Sequence, residues 1–421
     1  MERILQALKE AKVTEYTLKQ ETIYGKEWFF IGKKIDLSRA KKVRYYELTV
    51  YQTVYECQKR YKGSATCRIS DCEDEKRLQE RIAALYEEAG YVKNDYYELP
   101  GPSDVPFSYP DSSLGTIRDV FEMIEDFHET DHIHLNSFEL FETIHEVHLI
   151  NSKGIDVRYS YPSHELEWIV NATDEHHEIE IYQDLQFGQI NIAELKRQIG
   201  KAKIQAEDRL YAVPLRQEHL CDRIIISGEN VLRLFEYYLI QLRADFIYRQ
   251  YSSLKIGQTC GPDHFHLEGL NYLDHAPLNR AYDDDGRPCR SVSLVEDGTI
   301  VHIWGNHMYS SYLNQQETTM LNYFKVGAGT LSIDQMREAP HLEIVQFSAF
   351  SCHPITGDFS GEIRLAYFVH EDQRIPVYGG SISGNIKDHE KTMVLAKELE
   401  KFDRAVAPCA IQFEHLNIAC E

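Results

Sequence analysis

Residues 223–243 join a short apolar strand to a helix with a wide apolar face, and this pairing constrains the fold more than any other stretch. Ile224, Ile225 and Ile226 form a β-branched run, which predicts a buried strand. Apolar residues then recur at helical spacing, at Val231, Leu234, Phe235, Tyr238, Leu239 and Leu242. Such a face needs apolar partners over much of its width. The sequence therefore predicts a helix from Asn230 to about Arg243 inside a domain core.

The composition is that of a globular protein with an acidic surface. Hydrophobic residues make up 43% and charged residues 27% of the 421 residues, which is long enough for two or three domains. The formal net charge is -22, from 67 acidic and 45 basic side chains. Such a surface repels phosphate backbones, and no concentrated block of Lys and Arg overrides it. No nucleic-acid partner is expected.

Neither a secretory signal peptide nor a membrane helix is predicted. The chain begins with an amphipathic helix pattern over Met1–Glu10, and no apolar run approaches the length that crosses a bilayer. The nine cysteines are odd in number and scattered, which argues against a disulfide framework. We therefore expect a cytoplasmic protein without a membrane partner.

The order of helix-like and strand-like patterns divides the chain into three segments. We expect an N-terminal α/β domain over 1–112, a central domain over 113–219 and a β-rich C-terminal domain over 220–421. The Pro- and Gly-rich stretch 99–106 breaks any regular element before the first boundary. The expected fold class is α+β, or mixed α/β, with a β-rich last domain.

Two groups of histidines are candidate metal ligands. The string from His128 to His132 reads H-E-x-x-H, a zinc motif that works only when both imidazoles lie one turn apart on one helix. Here the preceding helix is predicted to end near Phe127, so we expect the two side chains not to share a helix face. His264 and His266 could lie on one face of a strand. Spacing alone does not specify a zinc site at either place.

Several short sequences, in their order and spacing, resemble the TldD/PmbA family. They are Asn151–Gly154, Ile199–Ala202, Leu210–Pro214, Asp284–Pro288, Val295–Ile300, Pro354–Ser360, Ile375–Ile386 and Pro408–Ala419. The T-G-D-F of Thr356–Phe359 and the S-G-N of Ser383–Asn385 are more similar to PmbA, also called TldE, than to TldD. In that family TldD is the zinc peptidase, and PmbA is its partner without the zinc-binding histidines. The resemblance implies an α/β N-terminal portion, a β-rich C-terminal domain of the TldD/PmbA type, dimers, and the handling of extended peptides.

The resemblance also locates a degenerate zinc motif on the predicted core helix. Active members carry H-E-x-x-x-H there, and this chain has Phe235, Glu236 and Ile240 at the positions of the motif's His, Glu and second His. Neither phenylalanine nor isoleucine can coordinate zinc. No histidine or cysteine occurs from Arg223 to Thr259. The sequence therefore predicts no catalytic residue, no metal ligand and no cofactor at this helix.

The leading hypothesis is a non-catalytic, PmbA/TldE-like subunit that binds extended peptides and supports a TldD-like zinc peptidase, or pairs with itself as a homodimer. The candidate peptide-chamber residues are Cys352, His353, Thr356, Gly357, Asp358 and Phe359. One alternative is a metallopeptidase whose zinc is held by a divergent set drawn from His128, His132, His264, His266 and Cys352. Another is a non-enzymatic peptide-binding scaffold.

Overall fold

The computed structural model describes residues 1–103, 114–315, 320–338 and 340–420. The N-terminal helices are α1 (Glu2–Glu10), α2 (Glu75–Tyr91), α3 (Ile117–Glu125) and α4 (Ile192–Leu210). The strands are β1 (Glu15–Ile31), β2 (Lys34–Glu56), β3 (Lys59–Ser70), β4 (Asn94–Asp95), β5 (Ile133–Asn151), β6 (Asp156–Thr173) and β7 (Glu178–Phe187). These strands form one antiparallel sheet, the first sheet, in the order β4-β3-β2-β1-β5-β6-β7.

Local sequence explains where the N-terminal helices begin. The side chains of Asp74 and Asn191 accept hydrogen bonds from backbone N–H groups in the first turns of α2 and α4. Thr116 and Asp119 form a reciprocal capping box on α3. Each cap satisfies a backbone donor that the helix itself leaves without a partner.

The helices cover the first sheet in two groups. Residues of α1 and α2, such as Leu8 and Leu78, pack with Leu48 of β2 in one apolar cluster. Residues of α3 and α4, such as Val120, pack in a second cluster with Leu140 of β5. Burial of these side chains is the main force that holds the helices on the sheet.

Strands from both sides of the expected 112/113 boundary pair in the first sheet. The boundary itself lies outside the described residues. β1 pairs with β5 from Thr17 opposite Asn151 to Ile31 opposite Ser137. The segments 1–112 and 113–219 therefore share a continuous hydrogen-bonded sheet.

The C-terminal part contains two further sheets. Its strands are β8 (Val213–Pro214), β9 (Arg223–Ser227), β10 (Leu267–Leu270), β11 (Val292–Glu296), β12 (Thr299–Ile300), β13 (Tyr323–Val326), β14 (His341–Cys352), β15 (Asp358–His370), β16 (Gln373–Tyr378), β17 (Ser381–Asn385), β18 (Val394–Leu395), β19 (Leu399–Lys401), β20 (Ala405–Pro408), β21 (Ala410–Glu414) and β22 (Asn417–Ala419). The second sheet has the order β12-β11-β10-β13-β20-β19. The third has the order β18-β21-β9-β14-β15-β16-β8, with β17 paired to β15 and β22 to β17.

The C-terminal helices are α5 (Val231–Gln241), α6 (Ala244–Tyr248), α7 (His307–Tyr312), α8 (Ile333–Met336) and α9 (Ile386–His389). Short 3₁₀ turns lie at Gln217–His219 and Gly228–Asn230. Helix α5 shares an apolar core with Leu294 and Val326 of the second sheet and with Ile344 and Phe413 of the third. The predicted fold, mixed helix and strand with a β-rich C-terminal part, is confirmed.

No helix in the described ranges is long and apolar enough to span a membrane.

Candidate functional site

The predicted core helix is observed as α5, which follows the buried strand β9 through a tight turn. Gly228 in that turn has a φ of +72°, a conformation that glycine adopts without a steric penalty. Most of the helix is buried, including Val231, Leu234 and Tyr238. The wide apolar face predicted from the sequence is therefore confirmed.

Phe235 and Ile240, the two positions of the degenerate zinc motif, face different surroundings. Phe235 is 0% exposed, and its ring stacks on Phe265 with centroids 6.4 Å apart. Ile240 is half-buried. Residues five apart on an α-helix point about 140° apart around its axis, at about 100° per residue. Position 235 therefore belongs to the core between the two C-terminal sheets, not to a surface that α5 shares with position 240.

Glu236, at the glutamate position of that motif, forms an ion pair. Arg233 Nη1 lies 3.0 Å from Glu236 Oε2, and the two side chains are 58% and 29% exposed. Pairs this accessible to water contribute little to stability, about 0–1 kcal/mol. Without an imidazole or thiolate on α5, Glu236 has no metal-bound water to deprotonate from this helix.

Four of the candidate peptide-chamber residues form the turn between β14 and β15. Thr356 N–H donates to His353 Nδ1 at 3.2 Å, and His353 N–H donates to the carbonyl of Asp358 at 2.7 Å. Gly357 has a φ of +83°, and a side chain there would approach Ile386 to 3.0 Å. Hydrogen bonds from Thr356 and then from Asn385 lower the pKa of Asp358. The turn thus presents the polar side chains of His353, Thr356 and Asp358 to solvent.

The other two candidates, Phe359 and Cys352, lie wholly or partly in the protein interior. Phe359 is 2% exposed and its ring lies 5.7 Å from that of Phe413. Cys352 is half-buried, and burial, then the charges of Asp358 and Glu236, raise the pKa of its thiol to about 12. The Cys352 thiol is therefore protonated at neutral pH, which makes it a poor nucleophile.

The structure brings this turn against the C-terminal end of α5. Gln241 Nε2 donates to the carbonyl of Pro354 at 2.5 Å. The ring of Tyr237 would lie 3.4 Å from a Cβ at Gly357. Glu236 acts electrostatically on Cys352. Residues from two distant parts of the sequence therefore pack together beside Glu236.

The H-E-x-x-H string does not form a metal site on a helix. Helix α3 ends at Glu125, before His128. His132 Nδ1 lies 2.9 Å from the carbonyl of Thr173, and the carbonyl of His128 accepts a hydrogen bond from Lys203. The prediction that His128 and His132 do not share a helix face is confirmed.

His264 and His266 lie before a strand, not on one of its faces. Strand β10 begins at Leu267, and His264 has a φ of +58° in the preceding turn. His264 Nδ1 contacts Asp297 Oδ1 at 2.6 Å, and His266 Nδ1 accepts a 3.4 Å hydrogen bond from Asp297 N–H. The strand placement considered from the sequence is wrong, because the turn ends later than expected. Among the described residues, no three His, Cys, Asp or Glu side chains are placed to hold one metal ion.

Sequence reasoning missed a pair of carboxyl groups, Glu229 and Asp403. Burial, then the negative charge of Asp403, raise the pKa of Glu229 to about 7. The two residues are far apart in sequence, and neither belongs to a motif. No local pattern could have indicated that they meet.

A family model identifies the C-terminal part of the chain. Residues 222–420 match the PmbA/TldA metallopeptidase C-terminal domain. This part of the chain belongs to the TldD/PmbA family. The chain is 24% identical over 207 residues to an uncharacterized protein of Methanocaldococcus jannaschii. The match covers 45% of this chain and 49% of that relative, so the chain spans about half the relative's length.

Two solved structures share the fold of this chain along their whole length. TldE from Thermococcus kodakarensis matches with a TM-score of 0.78 and 14% identity, covering 99% of this chain and 100% of that one. A protein of Thermotoga maritima, described as a candidate modulator of a DNA gyrase, matches with a TM-score of 0.78 and 16% identity, covering 99% of each chain. At these identities the likeness concerns the fold.

Proposed function

We infer that this chain is a non-catalytic, PmbA/TldE-like subunit that binds extended peptides and supports a TldD-like zinc peptidase, or pairs with itself. The observation that carries the inference is Phe235, whose side chain fills the core at a position where the family resemblance implies a zinc-binding histidine. Amide hydrolysis by a zinc peptidase needs a metal that activates water. Helix α5 supplies a carboxylate, Glu236, but no ligand of the imidazole or thiolate type.

Peptide binding is supported by an accessible strand edge. Strand β7 pairs with β6 on one side and, in the part of the chain that is described, with no strand on the other. Gln186 N–H donates to Asp403 Oδ2 at 3.3 Å and the carbonyl of Glu180 accepts from Arg364 at 2.9 Å. The backbone N–H and C=O groups of alternate residues point to the same edge of a strand. Those of Tyr182 and Asp184 therefore point to the edge of β7 opposite β6, between the contacts of Glu180 and Gln186. An extended peptide can add there as a short strand.

The turn around Thr356 is proposed as a second wall of the peptide chamber. His353, Thr356 and Asp358 are exposed on this turn, while Gly357 and Phe359 are buried and Cys352 is half-buried beneath it. All nine cysteines are free thiols. Free thiols agree with the proposed cytoplasmic location.

We expect the purified chain not to cleave unfolded peptides, with or without added zinc, and to have the mass of a dimer or to form a complex with a co-expressed TldD-like chain. The assay measures released peptide fragments by mass spectrometry and the molar mass in solution by light scattering. Zinc-dependent cleavage that is abolished by Glu236→Gln would overturn the non-catalytic assignment. A strictly monomeric mass, together with no complex, would overturn the pairing.

We expect Tyr182→Pro to weaken binding of a fluorescein-labelled, unstructured dodecapeptide about tenfold, because it removes one backbone donor, worth about 1 kcal/mol or slightly more. Proline is tolerated on an edge strand when its nitrogen faces away from the neighbouring strand. Tyr182→Ala is the matched control, because it removes the side chain but keeps the N–H. Fluorescence anisotropy measures the affinity. Equal loss in both variants would show that the tyrosine ring, not the strand edge, binds the peptide.

A further inference from the structure

A cavity of about 520 Å³ lies between the N-terminal and C-terminal parts of the chain, away from the degenerate zinc motif. It is lined by β7 and α4 on one side, and by the turn before α5, by β14 and by the segment 399–403 on the other. Cavities of this volume are typical of sites for small ligands.

Acidic groups outnumber basic ones where three elements meet at the cavity. Asp184, Glu229 and Asp403 come from three different elements, and the nearby cation that acts on Glu229 is Lys201. With the pKa of Glu229 raised to about 7, this group holds a proton part of the time at neutral pH. Glu229 keeps contact with solvent, as a group that lines an open cavity must.

The remaining charges of the cavity are largely matched among themselves. Arg197 lies 2.8 Å from Glu194 and 3.3 Å from Glu400. Lys401 is influenced by Asp274 and Glu194, and burial lowers the pKa of its ammonium. The excess of negative charge is therefore localised around Glu229 and Asp403.

Aromatic side chains form part of the walls, and two polar atoms at the cavity lack a partner among the described residues. Trp168, Phe187 and Phe402 are 2%, 6% and 8% exposed, and Phe347 lines the same space. Among the described residues, nothing accepts a hydrogen bond from Trp168 Nε1, and nothing donates to Gln346 Oε1. A buried polar group without a partner is unfavourable by about 1–3 kcal/mol, so a ligand or water that supplies one is favoured.

We propose that this cavity binds a compact ligand that carries a primary ammonium group on an apolar body. The ammonium donates charge-assisted hydrogen bonds to Glu229 and Asp403, and the apolar body packs on Phe347 and Phe402. A carbonyl next to the amine accepts from Trp168. The amino terminus of a peptide supplies all three contacts, and a free amine with an apolar body supplies the ammonium and apolar contacts. The cavity borders the β7 edge, since Tyr182 and Asp184 line it, but the ammonium contacts involve Glu229 and Asp403 and need no strand addition by a longer peptide.

The test uses calorimetric titration of the full chain with two probes, phenethylamine and the amidated tripeptide Phe-Ala-Ala, and with the N-acetylated form of each. Binding of both amines, or of one of them, supports the proposal and tells which source fits; the acetylated forms should not bind. Failure of both amines to bind at millimolar concentration, or equal binding of the acetylated forms, overturns it.

Glu229→Gln should weaken binding of the amine about 10- to 100-fold, because a charged hydrogen-bond acceptor is replaced by a neutral one. Glu207→Gln, an exposed position on α4, is the matched control and should leave the affinity unchanged. Unchanged affinity in Glu229→Gln would refute the proposed contact. Retained amine binding in Tyr182→Pro would show that the ammonium contacts do not need the backbone donor of the β7 edge.

A measurement on the unmodified chain tests the same contact without depending on whether the Glu229→Gln variant folds. The ammonium favours ionised Glu229, so binding should release protons near pH 7 and be tighter at pH 8 than at pH 6 for phenethylamine, which stays charged over this range. Titration in two buffers of different ionisation enthalpy measures the proton release. Proton uptake, or tighter binding at pH 6, would contradict the proposal.

Discussion

Replacing Phe235 by alanine should lower the free energy of unfolding of the C-terminal part by about 3–5 kcal/mol, the usual range for a fully buried phenylalanine. The ring is 0% exposed and lies between two sheets, with Phe265 stacked on it at 6.4 Å. Its removal leaves a cavity that neighbours from rigid strands cannot readily fill. Urea unfolding followed by tryptophan fluorescence measures the change.

The matched control is Ile240→Ala on the same helix. Ile240 is half-buried, so we expect a loss of about 1–2 kcal/mol, less than the range for fully buried isoleucine. Equal losses at positions 235 and 240 would show that Phe235 does not anchor the core as its burial indicates.

The same geometry predicts that histidines alone do not rebuild a zinc site. In the double variant Phe235→His with Ile240→His, the imidazole at position 235 lies in the core against Phe265, where a metal ion has no access, while the half-buried position 240 supplies one ligand alone. We therefore expect less than one zinc ion per chain by elemental analysis. Stoichiometric zinc in a stably folded double variant would show that α5 can rotate or unwind to present both positions, and would weaken the argument drawn from Phe235.

Features set by local sequence were predicted well. Helix α5 was expected from Asn230 to about Arg243 and is observed over Val231–Gln241, because its apolar spacing is regular. The end of the helix before His128 was also predicted correctly. Both depend on residues within a few turns of each other, where spacing and capping determine the backbone.

Features set by distant residues were not predictable in the same way. The first sheet pairs Leu18 with Ile150, and no local pattern specifies which strands become neighbours across such a separation. The meeting of Glu229 with Asp403 has the same origin, since it depends on how two sheets and a turn assemble. The degenerate motif itself could be located from resemblance, but the different burial of Phe235 and Ile240 required the packed helix.

Replacing Glu15 by glutamine should lower the free energy of unfolding of the N-terminal part by about 3–5 kcal/mol, the range for removing one partner of a buried charge pair. The side chain of Lys62 is 0% exposed, and its Nζ lies 3.1 Å from Glu15 Oε2. The rings of Tyr96 and Tyr97 lie 5.0 and 5.2 Å from the same ammonium. Aromatic faces stabilise a cation only partly, so loss of the carboxylate leaves a buried charge without its main partner.

A second substitution, Lys62→Met, tests whether the buried Lys62 ammonium causes the stability loss in Glu15→Gln. Methionine fills a similar volume without an ammonium, and replacing both members of a buried pair by neutral groups is often close to neutral. The double variant Glu15→Gln with Lys62→Met should therefore regain most of the lost stability. Glu56→Gln is the exposed control: its pair with Lys93 has side chains 50% and 45% exposed, so we expect a loss of at most about 1 kcal/mol. If the double variant is as unstable as Glu15→Gln alone, the loss arises from Glu15's other contacts, such as Lys153 at 3.2 Å, and not from the buried ammonium.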